Sequence, residues 1–123
     1  AAEDVNAARE QLVNIMSNYQ GVRRCHLILV FDAYKVKGGT GSVEKRHGIH
    51  IVYTREAETA DMYIEQASYD LSRRHRVRVA TSDGMEQMII LGHGAERMSA
   101  TELKWEVEQA DEHLHGIIQN LQP

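Results

Sequence analysis

Three aspartates follow apolar stretches of strand length, at positions where their carboxylates could share one chemical site. Asp32 ends the run LILVFD, Asp83 follows the run VRVATS, and Asp61 lies in ETAD, a few residues after IHIVYT. In open α/β sheets, functional sites lie outside the carboxyl ends of parallel strands. We therefore predict that the three carboxylates converge at one edge of a sheet.

Carboxylates that pack together repel one another, and a cation among them offsets that repulsion. Oxygen ligands on a rigid edge suit a hard divalent ion, so the pattern predicts Mg²⁺ or Mn²⁺ as a cofactor. Such an ion can activate water and hold a phosphodiester for in-line displacement. Taken together, the aspartates predict metal-dependent phosphoryl transfer.

Each aspartate also has a purely structural interpretation, which stays open at this point. Asp32 can make an Asx-turn into the loop that follows it. Asp61 can stabilise the N-terminal end of a helix through the helix dipole. Asp83 can be the N-cap of a short helix, with Glu86 completing a capping box.

The elements that must position these residues alternate between helical and strand patterns. Apolar residues at three- and four-residue steps predict helices, and short apolar runs predict strands. Helices are predicted over 1–21, 57–76, 83–92 and 99–118, strands over 26–32, 49–54 and 77–82, an edge strand within 94–100, and an exposed, mobile loop over 35–48. Gly21 is the predicted C-cap of the first helix, and Ser99 with Glu102 forms a capping box for the last. This alternation predicts an α/β fold with a mostly parallel central sheet flanked by helices.

Composition limits the classes of function. A chain of 123 residues suits one domain with a single core, and its net charge of −4 argues against non-specific coating of nucleic acid. Cations are nevertheless grouped within 35–47 and within 73–78. The lone cysteine, Cys25, fits a reducing compartment, and no apolar run reaches the roughly 20 residues that span a bilayer. We predict a cytoplasmic protein.

Four segments carry a resemblance to a known family: VFDAYKVKG, ETADMYIE, TSDGMEQ and GAERMSATEL. They resemble the NYN-domain proteins, a PIN-like nuclease group, and within it the bacterial YacP-like branch. The resemblance implies a PIN-like sheet, a divalent metal ion and endonucleolytic cleavage of RNA. Members of this branch are linked to cleavage of mRNA in association with the ribosome, so mRNA and the ribosome are the implied partners.

The resemblance also assigns roles to individual residues. Asp32, Asp61 and Asp83 fall on the acidic positions of the family, which implies that they are catalytic and hold the metal. Residues beside the same edge are the implied contacts to RNA phosphates, namely Lys35, Lys37 and Arg55.

One departure from the family concerns the start of the sequence. The family begins with a strand that ends in an aspartate, whereas this sequence begins at the helix AAEDVNAARE. The resemblance therefore implies that residues 1–123 form a single NYN domain without its N-terminal strand. We expect the 123 residues alone to bind Mg²⁺ weakly and to cleave RNA slowly.

Two other classes of function remain open from the sequence. The chain could be a non-catalytic module that binds RNA or the ribosome through its basic loops, with the carboxylates acting as caps. Alternatively, it could be an α/β interaction domain whose amphipathic helices dock a partner protein. A metal titration separates the nuclease from the binding module, and the salt dependence of RNA binding separates the two modules from each other.

Overall fold

The computed structural model describes the backbone of residues 2–81 and 94–121, and the side chains of residues 5–81 and 94–113. Helices and strands alternate along this part of the chain, as the sequence predicts. The helices are α1 (Ala2–Arg23), α2 (Ala60–Leu71) and α3 (Ala100–Leu121), and the strands are β1 (Ile28–Phe31), β2 (Ser42–Arg46), β3 (Ile49–Tyr53), β4 (Arg78–Ala80) and β5 (Glu96–Met98). The predicted helix over 83–92 lies outside the described residues.

The strands form two sheets, one with the order β1-β3-β2 and one with the order β4-β5. β1 and β3 run parallel, because His50 N donates to Leu27 O and, four residues further along both strands, Thr54 N donates to Phe31 O. β4 and β5 are also parallel, with Val79 opposite Arg97. The predicted α/β class and the mostly parallel pairing are therefore confirmed. Despite its apolar sequence, β1 is not covered along its whole length, since Ile28 is 42% exposed.

The predicted loop over 35–48 is wrong in its second half, where Ser42–Arg46 forms strand β2. His47 and Gly48 have φ values of 52° and 83°, and two central residues with positive φ define a type I′ turn. This turn joins β2 to β3 as a tight hairpin. The sequence concealed the strand, because charged residues on an exposed strand leave few apolar positions to show an alternation.

Capping residues set two of the helix boundaries. α1 continues past Gly21 to Arg23, and Arg24 with φ 53° takes the left-handed conformation predicted for glycine. At the start of α3, Glu102 N donates to Ser99 Oγ at 3.1 Å, which confirms the N-cap. The Ser99 hydroxyl in turn donates to the Glu102 carboxylate at 3.2 Å.

The chain divides into two compact units. The first contains Ala1–Leu29, Val43–Ile51 and Trp105–Pro123, and the second contains Val30–Ser42 and Val52–Lys104. Buried side chains of the first unit are Val13, Met16, Tyr19, Ile49, Ile51 and Ala110. Those of the second are Val52, Thr54, Ser68, Val79, Ala95 and Met98. Among the helices that the structure describes, none is long and apolar enough to cross a membrane.

Candidate active site

Asp32 follows directly after β1, and backbone hydrogen bonds fix its position. Its side chain is exposed, and its Oδ1 accepts a hydrogen bond from Tyr34 N at 3.2 Å. This is an Asx-turn, the structural role that the sequence left open. The turn leads the chain into the lysine-bearing loop. Because it uses only Oδ1, the other carboxylate oxygen remains available as a ligand.

Thr54, directly after β3, forms hydrogen bonds with the residues on both sides of Asp32. Its backbone N–H donates to Phe31 O at 3.2 Å, and its Oγ1 accepts from Ala33 N at 2.8 Å. The side chain is only 2% exposed, so these bonds are shielded from water. The rings of Phe31 and Tyr53 stack at 5.3 Å between centroids on the same two strands. Thr54 therefore sets where Asp32 leaves the sheet.

The loop that follows Asp32 is hydrogen-bonded to the segment after β3. Within the loop, Val36 N donates to Ala33 O and Gly39 N donates to Val36 O. Three further bonds join the two segments: Ala57 N to Tyr34 O at 2.9 Å, Glu56 N to Gly39 O at 3.0 Å, and Gly38 N to Glu56 Oε2 at 3.0 Å. These hydrogen bonds connect the backbone of residues 33–39 to residues 56 and 57, and the mobility of the loop without RNA stays a prediction.

Close packing explains one glycine of this loop. A Cβ on Gly41 would lie 2.8 Å from Arg55 Cγ and 2.9 Å from Tyr53 O. Gly41 also has φ +72°, a conformation that other residues adopt at a cost. The loop can therefore pass directly over the end of β3.

The three predicted phosphate contacts differ in their surroundings. Lys35 and Lys37 are exposed, and Lys35 Nζ lies 5.6 Å from the centre of the Tyr34 ring. Arg55 is 68% exposed, and its Nη2 lies 3.5 Å from Glu58 Oε2. Glu58 Oε1 also accepts from Arg55 N at 3.2 Å. Arg55 thus shares its charge with a carboxylate, so the two lysines are the stronger candidates for contacting an anion.

Asp61 lies in the first turn of α2, as the sequence predicts. Thr59 is the N-cap of this helix: its Oγ1 accepts from Met62 N at 3.2 Å. Because Thr59 supplies the cap, Asp61 is not needed for that role. Its negative charge in the first turn still complements the helix dipole.

The topology places Asp32 and the start of α2, which carries Asp61, after two neighbouring parallel strands. β1 and β3 are parallel neighbours, so Asp32 after β1 and α2 after β3 both follow carboxyl ends of strands. Asp83 lies outside the described residues. In the described part of the chain, no three His, Cys, Asp or Glu side chains form a group that could hold a metal. Convergence of all three carboxylates stays a prediction.

The donor chemistry at this edge fits a hard divalent cation. Asp32 is exposed and offers a carboxylate oxygen outside the Asx-turn, and Asp61 lies at the start of a helix after the neighbouring strand. Carboxylate oxygens are the ligands that Mg²⁺ and Mn²⁺ prefer.

Sequence reasoning missed two residues that shape this edge, Thr54 and Glu56. Thr54 is part of the run IHIVYT, and a threonine at the end of a strand gives no sign of a long-range bond to residue 33. Glu56 accepts from Gly38 N, a pairing that depends on the folding of the loop over β3. Only the tertiary structure reveals either role.

Comparisons with known proteins show the family to which the chain belongs. The family model of the YacP-like NYN domain matches residues 1–122. The protein YacP of Bacillus subtilis strain 168 is 37% identical over 124 residues, which cover 98% of this chain and 71% of that protein.

Two solved structures of Rae1 (YacP) from Bacillus subtilis share the fold. The W164L mutant superposes with a TM-score of 0.79 at 34% identity, covering 94% of this chain and 67% of that one. The other crystal structure gives a TM-score of 0.76 at 35% identity, over 94% of this chain and 66% of that one. The PIN-like fold expected from the sequence is thereby confirmed. The chain belongs to the YacP-like NYN domain family, a family of nuclease domains.

Proposed function

We propose that the chain is the nuclease domain of a divalent-metal-dependent endoribonuclease that cleaves mRNA in association with the ribosome. The observation that carries the proposal is the edge at Asp32, where a fixed, exposed carboxylate adjoins a lysine-bearing loop. Membership of a nuclease family supports RNA as the substrate. Metal use is general among NYN and PIN-like nucleases, which supports Mg²⁺ or Mn²⁺ as the cofactor.

The residues divide the work between holding the metal and holding the RNA. Asp32 and Asp61, with Asp83, are the proposed ligands and catalytic residues. A divalent ion bound there would supply charge stabilisation and water activation at the phosphodiester. Lys35 and Lys37, with a lesser contribution from Arg55, bind the phosphates that flank the scissile bond and fix their direction.

The alternative is a module that binds RNA without cutting it. The Asx-turn of Asp32 and the helix-end position of Asp61 favour this alternative, because each gives the aspartate a structural role. In that case both aspartates can lose their charge without any effect on RNA affinity, and no metal dependence appears.

Asp61→Asn in the intact protein tests the nuclease. We expect RNA cleavage to fall by at least about 100-fold with Mg²⁺ or Mn²⁺, because a neutral amide cannot replace a charged ligand. The melting temperature should fall only modestly, since the dipole contribution of a half-buried acid in the first turn of a helix is at most about 2 kcal/mol.

Asp70→Asn is the matched control, an exposed aspartate at the other end of α2 whose carboxylate accepts from Gln66 Nε2. It should cleave RNA as the wild type does. If Asp61→Asn retains full activity, Asp61 serves only the helix, and the nuclease assignment of this residue is wrong.

A further inference from the structure

An open cleft of about 370 Å³ lies within the first unit and includes none of the predicted site residues. Three segments build it: the C-terminal end of α1, the residues that lead into β1, and the β2–β3 hairpin. The residues that matter for its chemistry are Gln20, Arg24, Cys25, His26, Lys45 and His50.

The cleft is cationic, and its lining contains no carboxylate from the described residues. Neighbouring arginines on the same elements are paired: Arg23 Nη2 lies 3.4 Å from Glu106 Oε1, and Arg46 Nη2 lies 2.8 Å from Glu10 Oε1. By contrast, Arg24 and Lys45 are exposed, and neither has an ion pair with any carboxylate in the described part of the chain. Two positive charges therefore line the cleft without a paired carboxylate among the residues that the structure describes.

Hydrogen bonds make the walls of the cleft rigid. Gln20 Nε2 donates to Cys25 O at 3.1 Å, and Arg24 N donates to Gln20 O at 2.7 Å. Across the cleft, Gly48 leaves room for this amide, because a Cβ there would lie 2.9 Å from Gln20 Oε1. Arg24 is thus carried on a hydrogen-bonded helix end, and Lys45 lies on strand β2.

We propose that this cleft binds the backbone of a short stretch of single-stranded RNA, as a second contact surface of the nuclease. The inference rests on the proposed function, since it names where part of the substrate lies. Arg24 and Lys45 contact phosphates, and the imidazole rings of His26 and His50 offer faces on which bases stack.

The lining favours RNA over an acidic peptide. A peptide carboxylate would use the two cations alone, whereas an RNA strand uses the cations and the two rings together. The Gln20 amide adds a polar group of the type that contacts base edges and sugars.

Cys25 makes the proposal directly testable, because it is the only cysteine of the chain, is exposed and lines the cleft. Its rate of reaction with a thiol reagent reports whether the cleft is occupied. We expect a short oligouridylate, in EDTA to prevent metal-dependent cleavage, to slow this reaction several-fold. Polyglutamate of equal net charge is the comparison ligand and should leave the rate nearly unchanged.

A charge-reversal pair identifies the cations. Arg24→Glu with Lys45→Glu should abolish the protection of Cys25 and lower the salt dependence of RNA binding by about 1.4 in log–log slope, at about 0.7 per phosphate contact. Arg74→Glu with Lys104→Glu is the matched control, since it alters the net charge equally at two exposed positions outside the cleft. It should retain the protection.

Each other outcome overturns the proposal. If the wild type binds RNA while Cys25 reacts at its original rate, RNA lies elsewhere and the nuclease proposal survives alone. If polyglutamate protects Cys25 as well as RNA does, the cleft is an acidic-peptide surface. If the wild type binds no RNA at all, the proposed function fails together with the cleft. If both charge-reversal pairs lose binding equally, only the overall charge matters.

Discussion

At the scale of single residues, Thr54 sets the backbone geometry at Asp32. Its hydroxyl accepts from Ala33 N and its amide donates to Phe31 O, so Asp32 lies between two bonds made by one residue. Since metal ligands must be held within fractions of an ångström, we infer that Thr54 is a positioning residue for Asp32.

Thr54→Val should release the turn at Asp32. The substitution keeps the shape of the side chain but leaves Ala33 N without its acceptor, at a cost of about 1–3 kcal/mol in unfolding free energy. We expect weaker Mn²⁺ binding, measured by calorimetry at a temperature where the variant is fully folded. Thr54→Ser keeps the hydroxyl and should restore the metal affinity. Equal affinities in the valine and serine variants would mean that Thr54 contributes only to stability.

At the scale of elements, Tyr19 links two helices of the first unit. Its hydroxyl donates to Glu106 Oε2 at 2.8 Å, joining α1 to α3, and Arg23 approaches the same carboxylate. Burial, followed by the hydrogen bond to Glu106, raises the pKa of Tyr19 above its ordinary value of 10.0, although Arg23 opposes the increase. The neutral phenol is therefore the form that the folded state prefers.

This pKa predicts a loss of stability in alkali. Above about pH 10 the unfolded chain releases the Tyr19 proton while the folded chain keeps it, so the unfolding free energy falls as pH rises through the folded pKa. Below pH 10 the contribution is fully present. Tyr19→Phe should lower the unfolding free energy at pH 7 by about 1.5–3 kcal/mol, since it removes a hydrogen bond to a charged group. It should also flatten the decline above pH 10 in urea titrations. A wild-type decline no steeper than that of the variant would contradict the assignment.

The elements also show which parts of the structure the sequence could predict. β3 was found because Ile49, Ile51 and Val52 are apolar and buried, and α2 because its apolar residues recur at helical spacing. β2 cannot be recognised in the sequence, because its residues are mostly charged and its partner is set by a turn with positive φ at His47.

The candidate site also contains residues that the sequence predicts and residues that it does not. Asp32 and Asp61 could be recognised from strand ends and helix starts, which are local patterns. Thr54 and the cleft at Arg24 could not, because each depends on residues that are distant in sequence and meet only after folding.

At the scale of the whole molecule, local positive charge contrasts with the negative net charge. The net charge is −4, yet Lys35 and Lys37 are exposed on the loop beside Asp32, and neither forms an ion pair with a carboxylate that the structure describes. An acidic protein that binds RNA through a few local cations should show a shallow salt dependence, with a log–log slope of about 0.7 for each phosphate contacted.

Lys35→Ala with Lys37→Ala tests this distribution. We expect weaker RNA binding and a salt slope lower by about 1.4, if each lysine contacts one phosphate of a single strand. Mn²⁺ affinity should be unchanged, because neither lysine is a ligand. Arg74→Ala with Lys104→Ala removes the same charge elsewhere and should leave the slope as it is. A slope that stays at the wild-type value in the loop variant would place the RNA on another surface.

The hydrogen bonds that join residues 33–39 to residues 55–57 have a consequence for the kinetics of substrate capture. Ordering a disordered loop on binding costs about 1–2 kcal/mol of conformational entropy for each residue fixed. Here hydrogen bonds already order the loop backbone, so the two lysines are presented to RNA on one arrangement of that backbone. Encounter is then governed by diffusion and by attraction between charges, and no folding step of the loop slows association.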